Sequence, residues 1–121
     1  MNKPIIFDIE TNGLNPSKVH CLVLQKDGEE ISFVGRDIPK GIDLLADNLI
    51  VGHNVIKYDL PVLKRLYDYN HSPDLVHDTL CLSRLIYPDI ANSVDYKLLA
   101  SDRIERTSVG KHSLKAWGQR L

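Results

Sequence analysis

Apolar and polar positions change rhythm several times along this chain. Ile5 to Glu10 passes from an apolar stretch into alternation and stops at Thr11-Asn12-Gly13, a turn signal, so it reads as a strand. "KVHCLVLQ" (18–25) and "EEISFVG" (29–35) read as two more strands, and Asp27-Gly28 between them is a strong short-range hairpin signal. "IPKGIDLLADN" (38–48) predicts a short helix, with Ile42, Leu45 and Leu49 near helical spacing. "NLIVGHN" (48–54) is an apolar run of buried-strand type that ends in a polar tip. "YDLPVLKRLYDY" (58–69) is amphipathic, with Leu60, Leu63, Leu66 and Tyr67 on one stripe and Pro61 tolerable in a first turn. "DLVHD" (74–78) predicts a fifth strand, and "TLCLSRLIYP" (79–88) a helix stopped by Pro88. "DYKLLASD" and "KHSLKAWGQRL" read as two short helical pieces around a loop at 101–110.

Three strands joined by tight turns, followed by alternating helices and strands, predict an α/β fold: a mixed sheet with helices packed on it. At 121 residues the chain reads as one domain, 1–121. A composition of 43% hydrophobic and 26% charged residues is that of an ordinary globular protein. No apolar run reaches the length of a membrane span, and no signal-peptide pattern opens the chain. Cys21 and Cys81 stand alone, which predicts reduced thiols in a cytoplasmic protein.

The net charge of −1 argues against a generic polyanion binder. Its distribution is uneven. Residues 1–96 carry nine Lys/Arg against fourteen Asp/Glu, and residues 97–121 six against two. A basic last quarter suits a polyanion held at one edge, and suits a solvated helix face equally well.

Asp8 and Glu10 carry the chemical question. Side chains two apart on a strand share a face. Their like charges raise one pKa unless a cation intervenes, and burial in a core strand adds to the cost. Hard divalent cations with oxygen ligands answer that demand. The doublet alone is weak, since an exposed D-x-E at a strand end occurs by chance. Asn54 lies where the fourth strand runs out and Asp59 opens the next helix, where a carboxylate also suits the dipole. Ligands gather at the carboxyl ends of strands in open α/β sheets, so Asp8, Glu10, Asn54 and Asp59 have a place to converge.

Together, "FDIETNGL" and, some forty residues later, "HNVIKYDLPVL" resemble the first two motifs of the DEDD-type 3′–5′ exonucleases. The likeness is greatest to the proofreading domain of family A DNA polymerases, especially those of short-tailed phages. "HDTLCLSRLIYPD" and "GKHSLKAWGQRL" resemble the segments that follow. The resemblance implies a ribonuclease H-like five-stranded sheet with helices on both faces. It implies removal of the 3′-terminal nucleotide of single-stranded DNA with two Mg²⁺ or Mn²⁺ ions, in the (host) cytoplasm. Asp8, Glu10 and Asp59 would then hold the metals, Thr11 would contact the terminal nucleotide, Leu14 would wedge against its base, and Asn54 would place substrate. Lys57, Arg103, Arg106 and Lys111 are candidate phosphate contacts. Asp78 reads as a helix N-cap, His53 as a hydrogen-bonded strand-end residue and Trp117 as core.

The resemblance also implies a fourth carboxylate, delivered as Y-x-x-x-D or H-x-x-x-x-D. No Tyr or His here is followed by Asp at that offset. The expectation is a chain truncated relative to the family, completed by a further polymerase segment or a second chain that covers the last helix near Trp117. The alternative is a nucleic-acid- or protein-binding module on the same fold that does not cut.

Overall fold

The computed structural model describes residues 3–121, which form two compact units divided between Thr79 and Leu80. The first contains a five-stranded mixed sheet. Its strands are β1 (Ile5–Thr11), β2 (Val19–Lys26), β3 (Glu29–Val34), β4 (Ile50–Gly52) and β5 (Val76–Asp78), in the order β3-β2-β1-β4-β5. β1 is central. It pairs antiparallel with β2 and parallel with β4, which pairs parallel with β5.

The alternation read along β1 becomes two faces. Ile5, Phe7 and Ile9 are buried on one side, while Ile6, Asp8 and Glu10 lie on the other, open side. Asp27 and Gly28 both take positive φ, 53° and 80°, as the two-residue turn joining β2 to β3 requires. The pairing of β1 with β2 slips after Glu10↔Cys21, so that Thr11 faces Val19. Such a bulge bends the strand end and re-aims its side chains.

Helices α1 (Ile38–Leu45) and α2 (Leu60–Tyr67) put Ile38, Ile42, Leu45, Val62 and Leu63 into the same core as the buried side of β1. Within this unit both helices thus cover one face of the sheet, where the sequence reading has helices on both. Gly41 lets α1 sit close. A Cβ there would lie 2.6 Å from the Phe33 ring and 2.7 Å from Leu22. The helix predicted over 38–48 ends at Leu45, because Asp47 turns left-handed at φ 61°; Leu49 is outside it.

The second unit holds α3 (Thr79–Ile86, from Leu80 on), α4 (Tyr96–Ala100) and α5 (Leu114–Arg120). A π-helical turn, Ala91–Asp95, leads into α4. Only Ile90, Ile104 and Ala116 are buried hydrophobics here. The centre is polar. Arg120 Nε and Nη2 donate to the two Asp95 oxygens, both at 2.7 Å, and Nη2 also donates to Lys111 O at 2.7 Å. Trp117 Nε1 donates to Ser83 Oγ at 2.7 Å, and its ring packs 5.5 Å from Tyr87 and 4.9 Å from the Arg120 guanidinium. Trp117 is therefore half-buried and part of a polar network, rather than an apolar core side chain. Cys21 and Cys81 form no disulfide among the described residues.

Candidate functional site

β1 delivers Asp8 and Glu10 to its open face, so neither is buried. This corrects the expectation of a carboxylate couple inside the core. The buried acid is Asp59, 3% exposed. Its Oδ2 accepts from the Ile9 amide at 3.3 Å, the residue lying between Asp8 and Glu10. Burial and then the charge of Asp8 push the Asp59 carboxyl up to about 7, with the Ile9 amide acting in the opposite direction. Partial burial and then the charge of Glu10 also raise Asp8. The three carboxylates form one electrostatically coupled group at the carboxyl end of the central strand.

A break in helical regularity sets Asp59 there. The helix predicted from Tyr58 begins as a π-helical turn, Val55–Asp59, and becomes α only at Leu60. Asn54 precedes it in the left-handed conformation, φ 60° and ψ 26°, which Asn tolerates better than most residues. π turns are rare and recur at functional sites. Gly52 is required where this turn leaves β4. A Cβ would lie 2.2 Å from Val55 Cγ1 and 3.0 Å from Phe7 O. Asp78 holds the start of the turn, its two oxygens accepting from the Asn54 amide at 2.9 Å and the Ile56 amide at 3.0 Å. That use of Asp78 has no signal in the sequence, because the partners lie some two dozen residues away.

Tyr58 is the other residue that sequence reasoning missed. Its hydroxyl lies 2.6 Å from Thr11 Oγ1 and donates to Gly13 O at 2.7 Å. It ties the turn after β1 to the π turn, and its place beside Asp59 was the available clue. Leu14 stands on that same turn, 96% exposed. The half-buried Asn54 donates its backbone N–H to Asp78, while its side-chain carboxamide makes no hydrogen bond among the described residues. His53 is a hydrogen-bonded strand-end residue, with Nδ1 2.9 Å from Thr79 Oγ1. Lys57 projects from the π turn and is exposed, whereas Arg103, Arg106 and Lys111 belong to the second unit.

The donor set is all oxygen and net negative, which suits a hard divalent cation. Among the described residues no Lys or Arg is ion-paired with Asp8, Glu10 or Asp59. Among the described residues no group of three or more His, Cys, Asp or Glu is arranged to hold a metal ion by itself. Asp8, Glu10 and Asp59 would serve a cation only with further oxygens from water or substrate.

Comparison with known proteins gives two close matches. The chain is 37% identical over 132 residues to the DNA-directed DNA polymerase of Enterobacteria phage T3 and, at the same identity and length, to that of Escherichia phage T7. Each match covers 97% of this chain and 19% of the polymerase, so the chain spans about a fifth of the length of these relatives. No family model matches. Among the described residues no helix is long and apolar enough to cross a membrane.

Proposed function

We propose that the chain is a 3′–5′ exonuclease-type domain, a ribonuclease H-like version of the α/β fold, derived from a phage-type DNA polymerase and acting on single-stranded DNA. The observation that carries this reading is Asp59 seated on the Ile9 amide, between Asp8 and Glu10, in a group with no cationic side chain to neutralise it. The strand order and the match to a segment of two phage polymerases support it.

Asp8, Glu10 and Asp59 would hold Mg²⁺ or Mn²⁺. When bound, the ions would supply an acidified water and charge stabilisation for in-line displacement at the last phosphodiester. Asp59 is fixed by its hydrogen bond from the Ile9 amide. Asn54 offers its side-chain carboxamide to the substrate at the strand ends. Thr11, braced by Tyr58, faces the terminal nucleotide, and exposed Leu14 packs against its base. A frayed 3′ end is the substrate, because a paired end cannot bring its last phosphodiester down to these carboxylates. Full activity calls for a fourth carboxylate from another segment or partner chain.

The test is a 5′-labelled single-stranded oligonucleotide incubated with Mn²⁺ and either the protein or its Asp8→Ala/Glu10→Ala variant. Stepwise shortening that the variant loses is the expected result. DNA that is retarded but uncut identifies the binding module instead. The absence of both cutting and retardation overturns the reading.

A further inference from the structure

We propose that a cavity in the second unit, between the C-terminal end of α4, the 101–106 loop and α5, binds the phosphate backbone of single-stranded DNA. The cavity is about 430 Å³ and is lined by Leu99, Asp102, Arg103, Ile104, Glu105, Arg106 and Gln119. That volume falls within the range of about 300–1,000 Å³ typical of ligand sites.

Its polar groups are not equally free. Glu105 is taken by Lys115 Nζ at 2.9 Å and by the Thr107 hydroxyl. Gln119 is taken as well: its Oε1 accepts from the Glu105 amide at 2.9 Å, and its side chain hydrogen-bonds the Glu105 carboxylate. The Arg103 and Arg106 guanidinium groups make no ion pair or hydrogen bond among the described residues. The cavity thus presents two guanidinium forks against one uncommitted carboxylate, Asp102. Guanidinium forks match phosphate oxygens bidentately. Leu99 and Ile104 supply an apolar wall for a sugar or base. The choice of DNA among phosphate-bearing polymers rests on the function proposed above; the anion site itself does not.

The experiment measures binding of a labelled oligothymidylate by fluorescence anisotropy in EDTA, so that neither cleavage nor metal anchoring contributes. Arg103→Glu/Arg106→Glu is compared with a charge-matched control in the first unit, Arg36→Glu/Lys40→Glu. The first variant is expected to raise Kd about tenfold or more and to lower the salt slope by about 1.4, the loss of two contacts to a single strand. The charge-removing Arg103→Gln/Arg106→Gln variant should reproduce the slope change without charge reversal. Equal weakening by the control, or an unchanged slope in both arginine variants, overturns the site. Polyglutamate displacing the label as well as unlabelled oligothymidylate overturns its assignment to nucleic acid. Failure of the exonuclease reading would show as absent trimming with Mn²⁺ and would leave this EDTA result unmoved.

Discussion

Residues up to Thr79 close over aliphatic side chains, with Ile5, Leu22, Leu45, Ile50, Val55 and Leu63 wholly inaccessible. Residues from Leu80 onward bury Asp95 just as completely and answer it with Arg120. An aliphatic core gains by area and tolerates any close-packed solution. A buried ion pair works only when both charges and their hydrogen bonds are present, and it fails abruptly when one is missing. In the first unit the unmatched charge is instead gathered at the site, on Asp8, Glu10 and Asp59. The buried charge of the second unit therefore holds that unit together, while the three carboxylates of the first carry no ion pair among the described residues.

The largest effect should come from breaking the ion pair. Arg120→Ala leaves Asp95 buried without a counter-charge and should cost about 3–5 kcal/mol. Hydrogen exchange should lose protection across α4 and α5 while the amides of β1 and β2 keep theirs. Equal loss in the sheet would show that the two units do not differ in this way.

Opposite pH dependences come next. Asp59 has a folded-state pKa near 7, above the ordinary aspartate value, so the folded form binds more protons in that interval. Stability from this group is present below about pH 4 and falls as pH rises toward 7, by up to about 4 kcal/mol. In metal-free buffer, wild-type protein should melt lower at pH 8 than at pH 5, and Asp59→Asn should flatten the difference. Mn²⁺ at pH 8 should restore the melting temperature of wild type but not of Asp8→Ala/Glu10→Ala. The second unit runs the other way. Hydrogen bonding to Arg120 holds Asp95 below the usual carboxylate range. Its contribution is present above that range and is lost as pH falls through the depressed value. Fluorescence of Trp117, the chain's one tryptophan and a neighbour of Arg120, follows that loss.

A smaller, local effect is expected at Gly52. Gly52→Ala forces its new methyl against Val55 and the Phe7 carbonyl and should cost about 1–3 kcal/mol. Because that contact supports the π turn, any Mn²⁺-induced rise in melting temperature should shrink with it. The smallest effect belongs to Lys40→Ala, which removes an exposed pair with Asp37 and should stay within about 0.5 kcal/mol in a denaturant titration.

Much of the frame was legible in advance because its signals are local. Alternation at Ile5–Glu10, the Asp27-Gly28 turn and the stripe through Leu60 and Leu63 each report on a few neighbouring residues, and the five strands follow. The boundaries shifted where backbone geometry outweighed periodicity, as at Asp47 and in the π turn before Leu60. The site was half legible. The shared face of Asp8 and Glu10 follows from strand period alone. Their exposure, the burial of Asp59 and the bracing by Tyr58 do not, because no local pattern encodes which face of a sheet will be covered.

By itself the sequence determined the alternation of elements, the turn residues and which three acidic side chains are candidates for the site. Only the tertiary structure decided that Asp59 closes a fifty-residue separation to reach the Ile9 amide. It also decided that Asp78 anchors the turn at Asn54, and that Arg120 rather than solvent answers Asp95. The physical reason is range. Periodicity and turn chemistry act between neighbours along the chain, whereas burial and charge coupling depend on distances that exist only once the chain has closed on itself.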